Sequence, residues 1–145
     1  MSKLKKFVAT LAAVATVGAL SVAAFASYTY GSIFKDTITS KTSQAFDLGT
    51  HSYTGNDIGA NNIHVTAPSR VDYYLELYVD SGFLGIYNQY GSSVACDTEV
   101  LGGHYWWDSV RSDGGTSKAR LRIDRTDSST TSLGGYVESR ARTWQ

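Results

Sequence analysis

The sequence predicts an all-β fold: a single antiparallel two-sheet β-sandwich of about seven or eight strands, following a cleaved N-terminal signal helix. Three observations carry this prediction. Apolar and polar residues alternate with a period of two along most of the chain beyond residue 40. Turn-forming clusters recur at short intervals, as "HSYTGND", "APSR", "DSG", "YGSS", "LGG", "RSDGG" and "RTDSSTT". No stretch after the leader keeps a helical period, beyond a single turn near "SIFKDTI".

The first element is the leader, residues 1–26. Lys3, Lys5 and Lys6 precede "FVATLAAVATVGALSVAAFA", which carries no charge, and Ala24 and Ala26 supply the small residues that place cleavage before Ser27. An uncleaved anchor is the competing reading, because about 20 apolar residues can span a bilayer. The Ala-rich run is only moderately hydrophobic, and its Ala-x-Ala end favours cleavage. No cysteine follows to carry a lipid anchor. The expected product is secreted, extracellular or wall-associated, and meets the membrane only through the signal peptide before cleavage. Residues 27–41 read as a mobile N-terminal arm and 42–145 as the sandwich domain.

Three of the 13 basic residues and none of the 13 acidic ones lie in the leader, so its removal leaves a formal charge of −3. That balance gives no electrostatic case for nucleic acid. The charge is uneven: residues 27–110 carry −6, and Arg111 onward carries +3. Opposite charges on neighbouring strands stabilise each other, so pairing within the sheets is the favoured use of the basic third. Cys96 is the only cysteine, which excludes an internal disulfide. It alternates with Val94, Thr98 and Val100 and reads as a small buried hydrophobe.

The strands follow in order. "SQAFDL" carries Phe46 and Leu48 in phase, and "NIHVTA" carries Ile63, Val65 and Ala67. "VDYYLELYV" puts Val71, Tyr73, Leu75, Leu77 and Val79 on one face and Asp72, Tyr74, Glu76 and Tyr78 on the other. "FLGIYNQY" is a short strand with Gly85 inside it, a residue that marks a bulge. In "HYWWDSV", Tyr105 and Trp107 share the inward face, while His104, Trp106 and Asp108 point outward. Val110 joins the core only if Ser109 shifts the phase. "RSDGG" reads as a hairpin turn into "KARLRID", where Ala119, Leu121 and Ile123 face in. "GGYVESRAR" closes the chain, with Val137, Ser139 and Ala141 opposite Tyr136, Glu138, Arg140 and Arg142; periodicity leaves its buried face open.

The pieces "LELYV" (75–79), "YWWDSV" (105–110) and "LGGYVES" (133–139) resemble a pattern of small exported β-sandwich proteins of Gram-positive bacteria, over about residues 71–139. The resemblance implies a secreted sandwich and carries over no catalytic residues.

Motifs of enzymes are absent where they would be legible: there is no Gly-x-Ser-x-Gly, no His-Glu-x-x-His and no phosphate-cradling loop. His51, His64 and His104 have no zinc-ligand spacing. Asp72 and Glu76 share a strand face about 13 Å apart at ~3.3 Å per residue, beyond the roughly 5–10 Å of glycosidase carboxylate pairs. The Asn and Asp residues of "TGNDIGANN" (54–62) match no calcium-loop spacing and read as turn formers. No catalytic residue, metal or cofactor is therefore expected.

What points to binding is the aromatic surplus of 10 Tyr and 3 Trp, residues that join an apolar body to a polar group and suit half-wet surfaces. The expected function is a non-catalytic binding domain for a cell-wall glycan or a protein target, with candidate contacts Trp106, His104, Asp108, Tyr74, Tyr78 and Glu76. A bacteriocin-like toxin or enzyme inhibitor is the second class, and a small hydrolase the third.

Overall fold

A computed structural model describes residues 27–145. The expected signal peptide, residues 1–26, falls outside the described residues. Among them the chain forms only strands: β1 (Tyr28–Tyr30), β2 (Phe34–Lys41), β3 (Ala45–Thr54), β4 (Asp57–Thr66), β5 (Asp72–Asp80), β6 (Tyr87–Asp97), β7 (Gly103–Trp107), β8 (Thr116–Arg125) and β9 (Leu133–Trp144). The fold is all-β with two antiparallel sheets, and its strands number nine against the seven or eight expected.

Sheet A runs β1-β9-β4-β7, with β2 also on β9, and sheet B runs β3-β8-β5-β6. Since β4 pairs with residues 134–142 of β9, β1 and β2 follow one another along its other edge. The inward residues of both sheets share one core, with Ile38, Ile58, Val65, Trp107 and Val137 from sheet A meeting Tyr53, Tyr73, Leu75, Leu77, Leu121 and Ile123 from sheet B. Periodicity places β5 and β8 correctly: Tyr73, Leu75 and Leu77 are buried, as are Ala119, Leu121 and Ile123. In β9 the buried set is Leu133, Val137, Ser139 and Ala141, which resolves the face left open.

Several expectations are corrected. Residues 28–30 and 34–41 are not a mobile arm, nor is there a helical turn near 32–38; both stretches pair with β9. "HSYTGND" is a turn only at Gly55 and Asn56, because β3 runs to Thr54 and buries Tyr53. "YGSS" is a bulge inside β6, where the β5 register slips between Leu75 and Leu77 and Gly91 takes φ 68. A side chain at Gly91 would also press on Trp107, whose Cδ1 lies 3.1 Å from the site of a Cβ. "FLGI" precedes β6 as a loop. "RSDGG" joins β7 of sheet A to β8 of sheet B, so it crosses between sheets and is no hairpin.

The uneven charge is used across strands. Arg120 of β8 meets Asp47 of β3 at 3.4 Å, Arg142 of β9 meets Asp57 of β4 at 2.8 Å, and Lys35 of β2 meets Glu138 of β9 at 3.6 Å.

Candidate functional site

Trp106 sits where sheet A comes closest to a flat aromatic platform. Its neighbour across the ladder is Gly59 of β4, which in turn pairs with Arg140 of β9. The missing side chain at Gly59 lets the indole lie down on the sheet, since a Cβ there would stand 2.5 Å from Trp106 Cε3. With the ring lowered, the Arg142 guanidinium stacks over it at 4.2 Å and over Tyr28 at 3.9 Å. Arg140 covers Tyr30 at 4.1 Å, and Tyr30 leans on Trp106 at 6.0 Å between centroids. Trp144 meets Tyr28 edge-on at 5.0 Å. Such guanidinium–ring contacts contribute on the order of 0.5–1 kcal/mol each at exposed sites.

Arg142 is the centre of this set. Its Nε donates to Asp57 Oδ2 at 2.8 Å and its Nη2 to Asp108 Oδ1 at 3.1 Å. Partial burial pulls its pKa down, but the bond to Asp57 and the nearby charges outweigh this and raise it, so Arg142 is a fixed cation. Asp57 is further held by the Ser109 N–H at 2.9 Å. Arg140 is different. It forms no ion pair among the described residues, and its Nε is buried without a hydrogen-bond partner. Farther along the same face Lys35 lies 3.7 Å over the Tyr136 ring, which stacks on His64.

No family model, curated protein or solved structure matches this chain.

The sequence-derived candidates divide between two surfaces. Trp106 and His104 lie on β7 of sheet A, with Asp108 in the turn just after it, while Tyr74, Glu76 and Tyr78 lie on the outer face of β5 in sheet B. The sandwich core separates the two groups, so they cannot share one ligand. Glu76 is also buried rather than offered to solvent. It accepts from Ser93 Oγ at 2.8 Å and Tyr78 Oη at 3.3 Å, and stands opposite Arg122 in the ladder. Tyr74 is exposed and Tyr78 half-buried on the same face. His104 borders a separate cleft of about 230 Å³ between β6 and β7, shared with Ile63, Val94, Cys96, Val100 and Tyr105. Burial pushes the Cys96 thiol pKa up, which keeps it a thiol at neutral pH. No group of three or more His, Cys, Asp or Glu among the described residues is placed to hold a metal.

Periodicity missed Tyr28, Tyr30, Asp57, Arg140, Arg142 and Trp144. The available signals were Tyr28 and Tyr30 at a spacing of two and the outward pair Arg140 and Arg142. Neither says which strands become neighbours.

Proposed function

We propose that this chain is a secreted, non-catalytic binding domain whose ligand is a glycan held on the outer face of sheet A. The observation that carries the reading is the continuous surface of Tyr30, Trp106, Arg140 and Arg142, in which Arg140 has no carboxylate partner among the described residues. Aromatic rings accept the apolar C–H face of a sugar ring, and guanidinium groups bond planar anions with two parallel N–H donors. An unpaired guanidinium beside stacked rings therefore suits a sugar bearing a carboxylate or a phosphate. The carboxylates of this face are engaged by cations, Asp57 and Asp108 by Arg142 and Glu138 by Lys35, which supports binding over acid–base chemistry.

A glycan array and pull-down on bacterial cell walls test the reading. Acidic glycans are expected to bind. Arg140→Ala should weaken them roughly tenfold or more, the usual scale for a charged hydrogen bond, and Trp106→Ala should weaken acidic and neutral glycans alike. Binding unchanged by both substitutions would move the site elsewhere.

A further inference from the structure

The turn between β5 and β6, residues 81–86, holds three large apolar side chains in solvent: Phe83 is 65% exposed, Leu84 84% and Ile86 49%. This is a braced display. The Ser81 N–H donates to Ile86 O at 2.8 Å, the Ile86 N–H to Phe83 O at 3.0 Å, and the Gly82 N–H to Asp80 Oδ1 at 2.9 Å. Leu84, the most exposed of the three, is held at φ 50, a left-handed conformation that disfavours a side-chain-bearing residue. Clustered apolar exposure marks a docking point, and a strained, exposed leucine is a feature that folding alone gives no reason to keep.

The strand registers locate this tip. β5 ends at Asp80, and its Val79 pairs with Ala119 near the start of β8. The start of β8 pairs with the end of β3, Thr116 against Thr54. The Gly55–Asn56 turn leads to Asp57, which pairs with Arg142 near the end of β9, and Trp144 pairs with Tyr28 at the start of β1. The tip, Trp144 and Ser27 therefore lie at one end of the sandwich. Trp144 is 56% exposed there. Ser27, whose carbonyl accepts from the Gln145 N–H at 3.1 Å, is where the uncharged apolar residues 7–26 join.

We propose that this end docks on a lipid bilayer, with Phe83 and Leu84 entering the interface and Trp144 at headgroup level. The occupant is a bilayer because the apolar turn projects into open space, with nothing within 4 Å of a Cβ at Gly82 or Gly85, and because residues 7–26, until cleavage before Ser27, enter the membrane from this same end. An interfacial Trp at the same end as inserting apolar side chains is a usual composition of such contacts. The inserting turn is apolar and not ionic: residues 81–96 contain no charged side chain. Docking is thus independent of anionic lipid and of salt. Phe83 and Leu84 follow β5 of sheet B, away from the glycan surface on sheet A, whereas Trp144 borders that surface through Tyr28.

Flotation of residues 27–145 with phosphatidylcholine vesicles tests this, since that span contains every described strand and cannot bind through residues 7–26. Wild type is expected to float equally at low and high salt. Phe83→Asp with Leu84→Asp should reduce the floated fraction roughly tenfold or more, from the apolar contribution lost, with an unchanged melting curve. Leu84→Gly, which fits the left-handed backbone better than leucine, should weaken flotation without loss of folding. The proposal is overturned if wild type does not float, if flotation needs anionic lipid and disappears in salt, or if both variants float like wild type. A self-association without vesicles that the double variant abolishes would also overturn it, by showing that the tip buries against a second copy.

Discussion

Trp106 and Trp107 are adjacent in sequence, yet the strand gives them opposite tasks. Trp107 is buried, donates its indole N–H to Ser92 O at 3.2 Å, and packs against the bulge at Gly91. Trp107→Ala is expected to cost about 3–5 kcal/mol, as for other large-to-Ala changes in a core. Urea unfolding with a near wild-type midpoint would contradict that. For Val110 alternation stated only a condition, a phase shift at Ser109, which the φ of 58 there meets by letting Val110 pack against the core, whereas the two faces were legible from alternation alone. Tyr105 was not. It shares the face of Trp107 but is 38% exposed, because β7 is a five-residue edge strand beside which no further strand covers its side chains. Glu76 failed in the opposite direction: it points outward as alternation says, yet Ser93, Tyr78 and Arg122 close over it. Alternation reports which way a side chain leaves the strand, and says nothing of what lies above it.

At the scale of elements the same limit decides β2. Its inward residues are Phe34, Asp36 and Ile38, and the aspartate interrupts the apolar alternation that would have marked a strand. The interruption has a cause in the facing sheet, where His51 of β3 meets Asp36 at 2.9 Å while stacking on Phe34. A hydrogen-bonding partner supplied by another strand makes an inward Asp tolerable, and period-two patterning along one strand cannot register it. For β5 and the middle of β8, flanked by strands on both sides, the inward residues Tyr73, Leu75, Leu77, Ala119, Leu121 and Ile123 are apolar, which is why they read clearly; the polar inward residues of β8, Ser117 and Arg125, stand towards its ends. β2 buries Ile38 and covers one edge of β9 along Leu133–Ser139. Deletion of residues 27–41 should therefore remove a core side chain and leave a long unpaired edge, which invites intermolecular pairing. The expected result is a Tm lower by at least several degrees, together with oligomers in size-exclusion chromatography. A monomer melting like the full domain would mean that these strands add nothing.

For the molecule as a whole, the sheets are tied along both open sides by side chains reaching across. On the β6–β7 side, Tyr90 Oη donates to Asp108 O at 3.0 Å or to Ser109 O at 2.7 Å, alongside the Trp107–Ser92 bond. On the β2–β3 side stand the Asp36–His51 pair and a bond of 2.7 Å between Tyr53 Oη and Ser139 Oγ. Part of the tyrosine surplus is thus structural, and only Tyr28 and Tyr30 join the proposed glycan surface. This use of tyrosine makes the fold sensitive to alkali. Burial pushes the Tyr53 pKa from 10.0 up to about 12, against a smaller lowering by the Ser139 bond, and burial raises Tyr73 as well. Between pH 10 and 12 the unfolded chain releases the Tyr53 proton while the folded chain keeps it. The unfolded state then binds fewer protons, so stability falls as pH rises. The contribution is fully present below about pH 10 and is lost by about pH 12, a change on the order of 2–3 kcal/mol. Urea midpoints measured across this interval should decline steadily. Tyr53→Phe should flatten the decline while lowering stability at neutral pH by about 1–3 kcal/mol, the cost of leaving Ser139 Oγ buried without a partner. If that substitution left the slope between pH 10 and 12 unchanged, the alkaline loss would belong to Tyr73 or to another group, and the Tyr53–Ser139 tie would not govern how the two sheets separate.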